Sequence, residues 1–226
     1  EPLVYEDIVV VADAGGTVHV LDAQTFAVQK RVVLNGSISR SGELTASTVV
    51  YPVSGGMLVA LDVVTGEIMW QNVLGDAALR PFVLDGGDVV VGTSDGVVSR
   101  FAREDGALIW QIVLPLGNAI SYAQTPDGLL VTSGGRMVQN LDPDSGNVNW
   151  NQVMTGNGYF AADRCSDLCV ISIDGETLAT IAPANGDVHD IVVTSGGIGG
   201  SIITDDDVVV IVTGDGDVML WRLSGE

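Results

Sequence analysis

The chain has 226 residues, 46% of them apolar and only 5% aromatic, with 29 glycines. That is enough to bury a substantial core, and so many glycines argue for repeated tight turns rather than for helices. Nine basic residues against 29 acidic ones leave a formal charge of −20 at pH 7, which excludes nucleic-acid binding and simple docking on an anionic membrane. A salty or extracellular setting, a basic partner or a Ca²⁺-rich face would suit that surface. No apolar run approaches the roughly 20 residues of a membrane span, so direct membrane insertion is not expected. The opening residues, Glu1 to Asp7, lack the basic and apolar stretches of a signal peptide, which says nothing if the chain is mature or cut from something longer.

In chain order, the first strand is Pro2-Leu3-Val4-Tyr5, and Thr17-Val18-His19-Val20-Leu21 follows as a third strand. The apolar residue closing that third strand returns as Leu61, Phe101, Leu141, Ile181 and Trp221, each 40 residues after the last. Nine residues beyond it stand Lys30, Trp70, Trp110, Trp150 and Asp190. The turn between them carries Gly66, Gly106, Gly146 and Gly186, with Phe26 as the odd member. An earlier turn holds Gly16, Gly56, Gly96, Gly135, Gly175 and Gly216, within one residue of the same period. The third unit shows the content of each repeat. Pro81–Leu84, Asp88–Thr93, Val97–Ala102 and Ala107–Leu114 are four short Val/Ile-rich runs separated by Asp-Gly and Gly-Gly turns. Units of about 40 residues with four antiparallel strands predict an all-β fold, a β-propeller of six blades. The blades are expected at 1–36, 37–76, 77–116, 117–156, 157–196 and 197–226 within a single domain.

The segments Asp62-x-x-Thr65-Gly66-x-x-x-Trp70 and Asp142-x-x-Ser145-Gly146-x-x-x-Trp150 resemble the core of the PQQ-type (quinoprotein-like) repeat. Phe101-Ala102 to Gly106-x-x-x-Trp110 is a third copy, with Ala in place of Asp. The resemblance implies that Trp70, Trp110 and Trp150 are structural, each packing against the turn of the next blade. A buried carbonyl would then receive the indole N–H. Lys30 and Asp190 replace Trp, so docking around units one and five is expected to be looser. The sixth unit stops before position 230, where its Trp would fall, so its blade is expected to lack the outer strand. A longer polypeptide, a larger ring, or strand donation by a partner would complete it.

Family members that hold PQQ use an eight-bladed ring, adjacent cysteines, Ca²⁺ ligands and a catalytic Asp. No such set is matched, and no cofactor is expected. Relatives include outer-membrane assembly lipoproteins, lumenal propellers of membrane-protein insertion complexes and ligand-sensing ectodomains, which implies an extracytoplasmic setting.

The remaining chemistry is sparse. Cys165 and Cys169 could form a small-loop disulfide or stay a reduced core pair. His19 and His189 are the only histidines, and neither has a Ser/Asp arrangement that marks a triad. Asp205-Asp206-Asp207 and the pair Asp215 and Asp217 are weak Ca²⁺ candidates at predicted hairpin turns. Residues 195–201, rich in glycine, read as a linker because no helix follows to hold an anion.

The reading is therefore a non-catalytic scaffold for protein partners. Its inter-blade loops (35–40, 75–80, 115–119, 155–159 and 195–200) should gather on one face with the turns between second and third strands. Arg40, Arg80, Tyr122 and Tyr159 are the expected contact residues. A ligand sensor or quinoprotein-like enzyme using the axial channel is one alternative; a surface or filament subunit assembling by strand donation is another.

Overall fold

The computed structural model describes residues 2–117, 119–134, 136–156, 158–160, 164–165, 167–193, 197–205 and 208–222; within these, only the backbone is described at 119–120, 159–160, 190–191, 193 and 199–205. No helix occurs among the described residues. Contacts divide the chain into two compact units, residues 1–118 and 119–226.

The first unit contains three four-stranded antiparallel sheets, each a meander in chain order. They are β1 (Leu3–Tyr5), β2 (Ile8–Ala12), β3 (Thr17–Asp22) and β4 (Val28–Val33); β5 (Glu43–Thr45), β6 (Thr48–Val53), β7 (Met57–Asp62) and β8 (Ile68–Val73); and β9 (Phe82–Val83), β10 (Val89–Gly92), β11 (Val97–Phe101) and β12 (Leu108–Val113). The second unit repeats the plan twice. One sheet is β13 (Ala119–Thr125), β14 (Gly128–Ser133), β15 (Met137–Leu141) and β16 (Val148–Val153), and the other is β17 (Gly158–Phe160), β18 (Cys169–Ile173), β19 (Thr177–Ile181) and β20 (Val188–Val193). The last sheet has three strands, β21 (Ile198–Asp205), β22 (Val208–Thr213) and β23 (Val218–Arg222).

The second strands β6, β10, β14 and β18 are buried at every position because both of their faces are covered. Since successive side chains of a strand point to opposite faces, Val49, Tyr51 and Val53 of β6 join one cluster while Val50 joins another. The first cluster includes Val10 and Val18 from the preceding sheet, and the second includes Val89 and Val91 from the following one. In the second unit, Ile171 packs with Leu130 and Val138, while Val170 packs with Val209 and Ile211. Within each unit, cores thus lie between neighbouring sheets, which is why the apolar pattern recurs with the repeat.

The repeat reaches the hydrogen-bond register. Pairing of third and fourth strands slips at Val20/Leu21, Ala60/Leu61, Arg100/Phe101 and Asn140/Leu141, and again between Ala179 and Ile181. The turn that follows is held by a carboxylate where the motif has Asp. Asp62 Oδ1 accepts the Thr65 N–H at 2.6 Å, and Asp142 Oδ1 accepts that of Ser145 at 2.7 Å. Asp22 Oδ1 does the same for Thr25 at 2.8 Å, so unit one keeps the turn although its glycine is replaced by Phe26.

Candidate functional site

Trp70 and Trp150 serve the packing of one sheet on the next within their units. Trp70 is 7% exposed, and its Nε1 donates to the Arg103 carbonyl at 2.7 Å. Trp150 donates likewise to Pro183 O at 2.8 Å. The indole lies directly on the turn glycine of the next repeat. A Cβ at Gly106 would come within 2.6 Å of the Trp70 ring, and one at Gly186 within 2.7 Å of Trp150. Both glycines also have positive φ, so the position excludes a side chain twice over. Trp110 is equally buried at 7%.

Lys30, where looser docking is expected, still makes a hydrogen bond to the next turn. Its Nζ donates to Val64 O at 2.6 Å, and its Cδ lies where a Cβ on Gly66 would approach within 2.8 Å. A hydrogen bond to the next turn survives because a flexible four-carbon stem reaches Val64 O, one residue beyond the position that matches Arg103 and Pro183. What is lost is ring area. The Asp190 side chain lies outside the described residues.

Linkers and turns lie side by side within each unit. In the first, Leu34 N donates to Gly16 O at 2.8 Å, Ser54 N to Ser37 O at 2.9 Å, Leu74 N to Gly56 O at 2.7 Å and Ser94 N to Ala77 O at 3.0 Å. Each linker is thus tied to the second-to-third-strand turns on both sides of it. In the second unit, Met154 N donates to Arg136 O at 2.7 Å and Gly214 N to Gly197 O at 3.0 Å.

On this surface Arg40 is exposed and makes no hydrogen bond or ion pair with a described residue. Arg80 is half-exposed but tied to Glu43, with Nε donating to Oε1 at 2.6 Å. Tyr122 is only 7% exposed, so its ring belongs to the interior and not to a contact surface. The Val/Ile-like strand pattern places it there, and residue type alone misplaced it. The Tyr159 side chain lies outside the described residues. A cavity of about 290 Å³ opens beside Arg40, lined by Ala12, Ala14, Ile38, Ser39, Arg40, Ser41 and Tyr51. Sequence reasoning missed Tyr51. The signal was available, since the same register elsewhere holds Val11, Val91, Val131, Ile171 and Ile211.

The other candidates serve local structure. Cys165 and Cys169 are joined in a disulfide with a Cα–Cα separation of 5.3 Å. Asp217 sits in a hairpin turn, its N–H donating to Thr213 Oγ1 at 3.0 Å, and Asp215 lies exposed in the same turn. No three His, Cys, Asp or Glu residues converge among the described residues, and Asp206 and Asp207 lie outside them. His19 Nε2 faces Asp13 Oδ2 at 3.3 Å, and Asp13 also accepts the Thr17 N–H at 3.0 Å. The Thr17 and His19 hydrogen bonds hold the Asp13 carboxyl below the usual range. No hydroxyl or thiol joins His19 among the described residues, so the pair pins a hairpin. His189 is exposed on β20.

Comparison with known proteins adds the family. The family described as outer membrane protein assembly factor BamB matches residues 27–225. No curated protein matches the sequence. Among solved structures, BamB from Moraxella catarrhalis is 16% identical, with a TM-score of 0.57 over 100% of this chain and 83% of that one. BBS1N, crystallised in complex with ARL6DN, is 12% identical, with a TM-score of 0.71 over 96% of this chain and 75% of its own. A chain of the mitotic checkpoint complex is 10% identical, with a TM-score of 0.78 over 99% and 74%. At such identities these likenesses bear on the fold alone, which is the β-propeller.

Proposed function

The chain belongs to the family of outer membrane protein assembly factor BamB, and on that premise we propose that it is a non-catalytic propeller scaffold holding a protein partner in an extracytoplasmic assembly. The observation that carries this reading is the linker-and-turn surface of the first unit. Backbone hydrogen bonds tie the starts of these linkers to the flanking turns, which limits the entropic cost of presenting side chains from them. Arg40 stands uncommitted there in a chain of charge −20. A desolvated guanidinium is a frequent anchor of protein interfaces. The Arg80–Glu43 pair beside the second linker adds a polar rim. The family description supports an assembly role outside the cytoplasm, and the sparse acid–base chemistry suits a scaffold.

Site-specific photo-crosslinking in the native cell tests the proposal. A crosslinking residue in place of Arg40 should give one discrete protein adduct, found in an extracytoplasmic fraction. The same residue in place of Val73, 79% exposed on β8, should give none. Adducts at Val73 only, no adduct at either position, or recovery from the cytoplasm would overturn it.

A further inference from the structure

The first linker differs from the second in a way that opens a space. In the second, Ala78 bridges Thr93 and Leu79 N donates to Gly92 O at 2.8 Å, so the linker closes on β10. In the first, neither the backbone N–H groups nor the side chains of Ser39, Arg40 and Ser41 hydrogen-bond to a described residue. The side chains beneath explain the contrast. Tyr51 stands where the third sheet has Val91, and Gly42 runs directly over its ring, where a Cβ would meet Cδ1 and Cε1 at 2.6 Å. The larger ring holds the linker off the sheet, and the cavity of about 290 Å³ lies between them.

Donors dominate this cavity. Arg40 offers a guanidinium, and Ser39 and Ser41 offer hydroxyls beside their free N–H groups. Tyr51 is 2% exposed, and its hydroxyl is buried with no hydrogen-bond partner. A phenol orphaned in this way costs stability unless something else engages it. Burial pushes it up to about 12, so it remains an O–H donor across physiological pH. Asp13, between Ala12 and Ala14, is already occupied by Thr17 and His19. Ala12, Ala14 and Ile38 supply the apolar part of the wall.

We propose that this cavity is a carboxylate-binding pocket, in which Arg40 pairs with the carboxylate, Ser39, Ser41 and Tyr51 donate to its oxygens, and the apolar wall takes a short aliphatic stem. An acceptor-only group matches a donor-rich lining. A single negative charge is favoured over a phosphate because a chain of charge −20 repels a dianion more strongly. The volume lies at the small end of ligand pockets and suits a short acid or the carboxylate end of a peptide. The pocket is independent of the scaffold reading, since a free small acid tests it in the purified chain.

The test is titration of the ¹⁵N-labelled chain with sodium propionate, followed at the amides of residues 39–41. Saturable shifts are expected. Arg40→Gln should weaken binding by roughly tenfold or more and Tyr51→Phe by roughly fivefold, with Arg40→Lys between wild type and Arg40→Gln. Tyr51→Phe removes an atom that has no partner, so the fold is retained and thermal stability should hold or rise. An acetylated dipeptide that binds with a free C-terminus more tightly than propionate, but not as the amide, would assign the carboxylate to a peptide. Propionate binding at least as tightly would assign it to a small acid. No saturable shift, shifts unaltered in Arg40→Gln and Tyr51→Phe, or tighter binding of inorganic phosphate would each overturn the proposal.

Discussion

Asp62 shows what one side chain contributes to a repeat. Burial raises its carboxyl, but hydrogen bonds from Ser47 Oγ at 2.7 Å and from Thr65 N–H outweigh that and leave it below the usual range. Asp22 is lowered in the same sense, chiefly by the Thr25 N–H. A carboxyl lowered in the folded state contributes stability in full above its unfolded pKa. The contribution is lost as pH falls through the folded value. Asp62→Asn should therefore cost about 0.5–1 kcal/mol at neutral pH and flatten the acid limb of the stability curve. Urea midpoints from about pH 6 to about pH 2 would measure this, and parallel acid limbs in both proteins would contradict it. At this scale the sequence was legible where a residue acts on its own turn, as Asp62 and Asp142 do. For Tyr122 and Tyr51 the repeat register marked a buried strand position, but which face of that strand meets a cavity depends on residues of another sheet.

At the scale of elements, the fourth strand of one sheet is tied to the next sheet by one long side chain. Trp70 combines ring burial with a hydrogen bond to Arg103 O, while Lys30 keeps the bond to Val64 O with less buried area. Trp70→Ala should cost about 3–5 kcal/mol through the cavity it leaves. Trp70→Phe should cost about 1–2 kcal/mol through the stranded carbonyl, and Lys30→Met about 1 kcal/mol. Equilibrium urea unfolding should give that order; a Lys30→Met cost as large as that of Trp70→Ala would show that ring area is not what separates the two positions. The period of 40 made the Trp positions visible in sequence. That Lys30 could reach the same kind of carbonyl was not visible, because the reach of a flexible stem depends on the backbone of the next turn.

At the scale of the whole molecule, charge is the dominant unbalanced term. Twenty excess negative charges repel one another more in the folded chain than in the extended one. Raising NaCl from about 20 mM to about 500 mM should raise Tm by screening that repulsion, read by circular dichroism. A fall in Tm would mean that the Arg100–Asp88 and Arg80–Glu43 pairs outweigh it. By itself the sequence determined the repeat, the four-stranded antiparallel unit and the acidic surface, because each follows from spacing or composition that a repeated unit must keep, while the docking role of Trp70 and Trp150 was implied by the family resemblance. Only the tertiary structure decided that Arg80 is paired while Arg40 is not. It alone showed that Tyr122 is interior, that the two cysteines meet and that a donor-lined cavity sits beneath the first linker. The cysteines lie only four residues apart and meet through a local loop; the other outcomes depend on how closely neighbouring repeats approach, and a period fixes which residues recur without fixing that.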